Sequence, residues 1–269
     1  MVSKPNNIHE LKAQGWNALI SKIMKSIILT VAIFIIVSSC YGQEATSSKK
    51  FEDIALVNKI DFFDSKFNQT KFGCGFLLKF NQDTFAVTAK HLIKFIKSDE
   101  MKGISFDNGI KNWMLFNLNK PSANVVVDKL LNENKNESIA EKASYEDDWL
   151  VFSIKQNQTR VKVLEIRDTP LNEGEKLYVV GWTRKMESGL QRVYEFEYFK
   201  TVGKRILLKD VIVPELFGGL SGAPVIDENA KVVGIVSGRT ADPDSKKTYF
   251  SPSSVNGLKS FLDKLEINK

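Results

Sequence analysis

Phe217-Gly218-Gly219-Leu220-Ser221-Gly222-Ala223-Pro224-Val225 places one serine among three glycines and follows it with a proline and an apolar run. Glycines on both sides let the backbone turn through positive φ and leave room for another chain to approach. Such a turn can push a hydroxyl outward and aim neighbouring N–H groups at one point. Acyl transfer needs that pairing of an exposed oxygen nucleophile with donors for a developing oxyanion. The same stretch also reads as a Gly-rich hairpin turn with a surface serine, so the rest of the chain must decide.

Working outward, the segments on either side read as strands. Val232-Val233-Gly234-Ile235-Val236-Ser237-Gly238 follows a turn at Asp227-Glu228-Asn229. Upstream, Val161–Ile166, Lys176–Trp182, Val193–Val202 and Arg205–Leu208 have strand composition or alternation. Val255–Leu265 closes the chain with Leu258, Phe261, Leu262 and Leu265 at helical spacing. In the first half, Phe72–Phe80 and Thr84–Thr88 flank Asn81-Gln82-Asp83 as a hairpin. Residues 97–146 are poorer in pattern: Val125–Val127 suggests a strand, and Asn132–Lys142 reads as a polar loop.

Two further residues stand out. His91 follows the strand ending at Thr88, where the chain passes into a short helical turn, and it is the only histidine after residue 9. A lone histidine reads equally well as structural or as catalytic. Asp147-Asp148 precedes the apolar run Trp149-Leu150-Val151-Phe152. One reading is a solvated turn. In the other, a partly buried carboxylate orients an imidazole, and Asp148, next to the strand, is the better candidate with Asp147 in reserve.

In chain order these are a histidine after a strand, an aspartate before a strand and a serine in a Gly-rich turn. Val87-Thr88-Ala89-Lys90-His91, Asp148–Phe152 and Gly219-Leu220-Ser221-Gly222-Ala223-Pro224 resemble the three signature segments of trypsin-like (chymotrypsin-fold) serine peptidases. Phe72-Gly73-Cys74-Gly75-Phe76 resembles the family's strand before the histidine, and Gly234–Gly238 the strand that lines the substrate cleft. The resemblance spans roughly residues 51–265. It implies an all-β fold of two antiparallel six-stranded barrels, residues 51–160 and 161–269, with a short C-terminal helix. It implies a serine endopeptidase in which Ser221 attacks the scissile carbonyl, His91 moves the proton and Asp148 orients His91. The N–H groups of Gly219 and Ser221 would form the oxyanion hole, and Ser237 and Gly238 would bind substrate. Glu215, six positions before Ser221, falls where trypsin-like enzymes carry the acid of their specificity pocket, and it reads equally as a surface glutamate. A catalytically silent peptide-binding module on the same fold, with the peptide before Gly219 flipped, is the competing function.

Departures narrow the resemblance. There is no Ile-Val-Gly-Gly start, and no cysteine pair can brace the Ser221 loop. The chain is more similar to bacterial members such as the Htr/Deg group, and no PDZ domain is expected after the helix. Cys74, between two glycines, reads as a small buried apolar residue rather than a nucleophile. With one histidine and one thiol after residue 43, no metal site and no cofactor are expected.

The first 43 residues read as a leader. Lys25 precedes the apolar run Ser26–Val37, which is short for a membrane span and fits an export signal starting at Met24. Val37-Ser38-Ser39-Cys40 also resembles a lipobox. Cys40 would then carry lipid and attach the protein to a membrane; cleavage near Gly42-Gln43 would instead release it. Either way the expected location is the periplasm, cell envelope or exterior, with residues 44–50 as a linker. The leader holds Lys4, Lys12, Lys22 and Lys25 against Glu10, so the net charge falls from +6 to +3 without it. That excess is too small to imply a nucleic-acid partner, and a protein or peptide substrate is the partner expected.

Overall fold

The computed structural model describes residues 51–96, 101, 103–106, 109–140 and 145–267. The leader, with Met24, Cys40 and the cleavage region, lies outside these residues.

The first half folds into β1 (Ala55–Phe62), β2 (Gln69–Phe80), β3 (Asp83–Thr88), β4 (Gly103–Ile104), β5 (Ile110–Asn117), β6 (Lys120–Leu130), β7 (Asn134–Ser138) and β8 (Leu150–Asn157). Six of them close a ring in the order β1-β5-β6-β8-β3-β2, with β2 pairing back onto β1. The second half supplies β9 (Leu164–Ile166), β10 (Lys176–Gly181), β11 (Arg192–Val202), β12 (Arg205–Ile212), β13 (Pro224–Ile226), β14 (Lys231–Ala241) and β15 (Thr248–Ser254). Its ring runs β14-β13-β10-β11-β12-β15 and closes through β14 and β15. Short β9 lies between the rings, parallel to both β2 and β14. The helix Asn256–Ile267 ends the described chain. This is the chymotrypsin-like all-β architecture expected from the sequence.

Why the central strands read as unbroken apolar runs is now evident. Leu77, Ala86, Leu150 and Phe152 fill the first barrel with Leu56, Trp113 and Leu115. Their neighbours Phe76, Leu78, Val87 and Val151 face the other way, into the larger core shared with the second barrel. Successive strand residues point to opposite faces, so β2, β3 and β8 bury both. His91 and Asp148 stand at the ends of two of these strands, where backbone position is set from both sides.

The first barrel also holds a polar pin. Buried Asn58 accepts from Trp113 Nε1 at 3.0 Å and donates to the Cys74 carbonyl at 2.9 Å and to Thr88 Oγ1 at 3.0 Å. Each of these buried polar atoms therefore finds a partner.

One sequence reading needs correction. Part of the expected loop 132–142 is strand β7, which pairs with β4 as a separate two-stranded sheet. Its residues are polar and mostly exposed. Backbone pairing alone makes it a strand, and no side-chain alternation announces that. Gly103 permits the pairing, because a Cβ there would lie 2.1 Å from the Lys135 carbonyl oxygen.

Trp113 packs on Phe72, Phe106 and Phe152 in the centre of the first barrel. Trp113→Ala is expected to cost about 3–5 kcal/mol, from lost burial and the cavity left behind. Urea denaturation should show the lower midpoint.

Candidate active site

Three side chains far apart in sequence converge between the barrels. His91 Nδ1 lies 2.7 Å from Asp148 Oδ2, and His91 Nε2 lies 2.9 Å from Ser221 Oγ. The His91 backbone N–H donates to Asp148 Oδ1 at 2.7 Å, so one carboxylate fixes both the ring and the chain that carries it. An ionised carboxylate only accepts. The proton of neutral His91 therefore rests on Nδ1, and the Nε2 lone pair faces the Ser221 hydroxyl.

Asp148 is buried, its side chain 3% exposed. Burial pushes its pKa up, but the His91 ring bond, the positive charge available on His91, the Ser237 hydroxyl and the His91 N–H outweigh that, and the net shift is downward. Arg205 adds a cation, its Nη1 4.0 Å from Asp148 Oδ2. The alternative carboxylate, Asp147, is committed elsewhere: its Oδ2 accepts from Lys204 Nζ at 2.6 Å.

The Ser221 loop is shaped by its glycines and held from both barrels. Gly219 has φ +101° and Gly222 φ +85°, conformations that an L side chain rarely adopts. A Cβ on Gly222 would stand 2.2 Å from the Cys74 carbonyl oxygen, and one on Gly219 2.3 Å from Arg184 N. The Ser221 carbonyl accepts from Cys74 N at 2.7 Å, which ties the loop to β2. Gly222 N donates to the Val236 carbonyl at 2.9 Å, which ties it to β14. The Gly218 carbonyl accepts from Arg184 N at 2.6 Å and so is drawn away from Ser221 N. Among the described residues, the N–H groups of Gly219 and Ser221 donate to no protein acceptor.

Cys74 is buried and its thiol is bonded to the carbonyls of Gly219 at 3.3 Å and Trp182 at 3.6 Å. Burial pushes its pKa up to about 12. The thiol is thus a small neutral donor that steadies the Gly219 peptide.

The residues expected to bind substrate separate. Gly238 is exposed with open space above it. Ser237 turns its hydroxyl onto Asp148 Oδ2, a contact the sequence reading did not foresee. Nothing in Val-Ser-Gly marks which way that hydroxyl points. Glu215 stands in solvent, its side chain 92% exposed and 3.9 Å from Lys185 Nζ. That placement is a surface glutamate, not the buried acid of a pocket.

The family model described as Trypsin matches residues 62–262. The chain belongs to the trypsin family. Among solved structures, that of GrC is similar, with a TM-score of 0.54 at 17% identity over 81% of this chain and 95% of that one. A serine endoprotease from Yersinia pestis gives 0.50 at 13% identity, covering 82% of this chain and 65% of that one. Identities this low speak for the fold alone. A search of curated proteins gives no match. The trypsin-family fold is that of a serine-type hydrolase, and protein substrates go with it.

Two outcomes follow from the site's electrostatics. A carboxyl whose folded pKa is depressed adds stability above its unfolded value of about 4, and loses it as pH falls through the lower folded value. The stability advantage of wild type over Asp148→Asn, from urea midpoints, should therefore shrink as pH is lowered from 5 towards 2. Cys74 should resist iodoacetamide at pH 8 in the folded protein and react readily in urea, as read by mass spectrometry of its peptide.

Proposed function

We propose that this protein is an exported serine endopeptidase that cleaves peptide bonds through a Ser221–His91–Asp148 triad and an acyl-enzyme. The observation that carries the reading is His91, bonded on one side to Asp148 at 2.7 Å and on the other to Ser221 at 2.9 Å. Export rests on the Met24–Cys40 leader, with lipidation at Cys40 or cleavage near Gln43 as its two forms.

Ser221 Oγ attacks the scissile carbonyl carbon while its proton passes to His91 Nε2. The carbonyl π pair moves to oxygen, and the resulting oxyanion accepts from the N–H groups of Gly219 and Ser221. The C–N bond then breaks, and His91 Nε2 gives its proton to the departing amine. Water, deprotonated by the same nitrogen, attacks the Ser221 ester. Collapse returns the proton to Ser221 Oγ and frees a carboxylic acid. Asp148 stays ionised throughout and stabilises the imidazolium that forms twice in the cycle.

A silent peptide-binding module would need the oxyanion donors blocked. With the Gly218 carbonyl held by Arg184 N, the peptide before Gly219 is not turned into that space, which favours the enzyme.

A fluorophosphonate should label Ser221, and the protein should hydrolyse casein. Ser221→Ala is expected to abolish labelling and to lower kcat by roughly 10⁶-fold, and Asp148→Asn to lower it by about 10⁴-fold. Failure of the folded wild type to label would sink the peptidase reading.

A further inference from the structure

Resting on that reading, we infer that Arg239 selects substrates with a short acidic side chain, aspartate above all, at the residue that donates the scissile carbonyl. If that carbonyl points at the N–H groups of Gly219 and Ser221, the acyl half of the substrate runs along Ser237-Gly238-Arg239. That stretch continues β14 past the triad: Ser237 is bonded to Asp148, and Gly238 beyond it is open to solvent. The side chain in question then falls between this strand and the residues just before Ser221.

That space is already partly filled. Arg239 pairs with Phe250 across β14 and β15, and directly opposed residues project to the same face. Both reach Phe217 of the Ser221 loop. The Phe250 ring is 4.9 Å from the Phe217 ring, and the Arg239 guanidinium carbon is 5.8 Å from it. Phe250 is 2% exposed and stacks at 4.7 Å on Phe196 below. An aromatic floor lies where a deep pocket would need to open, so a long lysyl or aromatic side chain has nowhere to go.

Above the floor is a cation without a carboxylate. Arg239 is exposed and makes no ion pair among the described residues. The acids nearby in sequence are held by a lysine: Asp242 and Asp244 each lie 2.6 Å from Lys200 Nζ. Glu215, on the Ser221 loop, stands in solvent 3.9 Å from Lys185 Nζ. A guanidinium lying against an aromatic ring keeps its N–H edge for a planar carboxylate. Glu215, exposed at the surface, does not supply a pocket acid for Lys or Arg at that residue.

The test uses fluorogenic peptide amides that differ only in Asp, Asn, Ala, Phe or Lys at that residue. Asp should exceed Asn in kcat/KM by about tenfold or more, the range of a charge-assisted hydrogen bond. Arg239→Ala should bring the Asp/Asn ratio close to one, Arg239→Lys should restore part of it, and Arg239→Glu should push it below one. Equal cleavage of Asp and Asn peptides, faster cleavage of Ala, Phe or Lys peptides, or a ratio unmoved in Arg239→Ala would overturn the inference. Calorimetry of Ser221→Ala with product peptides ending in Asp or Asn keeps the question separate from turnover. A protein that neither labels nor cleaves but prefers the Asp peptide through Arg239 refutes the peptidase and upholds the selection. Equal binding of the two peptides refutes the selection whatever the turnover.

Discussion

The site depends on one buried negative charge. Asp148 is removed from water between the barrels, and such a charge is tolerable only when hydrogen-bonded and paired. His91 gives it two donors, its ring and its backbone N–H, and Ser237 a third. The three groups come from the segment after β3 and from β14, one in each barrel. The requirement that satisfies the carboxylate therefore also sets the distance between the halves of the site.

The Ser221 loop follows the same logic with backbone groups. Its carbonyls are claimed one by one: Gly218 by Arg184, Gly219 by the Cys74 thiol, Ser221 by Cys74 N. With these acceptors occupied, the N–H groups of Gly219 and Ser221 have no protein partner among the described residues. Orphaned donors are costly in a protein interior and useful where an oxyanion forms. The loop has no disulfide, and its bracing comes from packing: Cys74 on one side, and Phe217 against Phe250 and Phe196 on the other.

Those aromatic contacts carry a second consequence. The core rings Phe196 and Phe250 continue to Phe217 of the Ser221 loop, so the core and this loop share one stack. What can enter beside Ser221 is limited by what the barrel needs for its own cohesion. The exposed guanidinium on top of that stack adds the sign of charge.

Local chemistry was legible in the linear chain wherever a residue's role follows from its immediate neighbours. Glycines on both sides of Ser221 foretold a turn, apolar runs foretold strands, and the helical spacing of Leu258, Phe261, Leu262 and Leu265 foretold the final helix. The choice of Asp148 over Asp147 also came from a local fact, its place directly before the apolar run Trp149-Leu150-Val151-Phe152. Side-chain direction across long gaps was not legible. Nothing near Ser237 says that its hydroxyl turns to Asp148, nothing near Glu215 says that it faces Lys185, and polar β7 carries no alternation to reveal its pairing. These outcomes were decided when folding brought residues 30 to 89 positions apart into contact. Turn geometry and strand pattern are properties of a short segment, whereas the partner of a buried or cleft-side polar group is fixed only by which other segment tertiary packing puts opposite it.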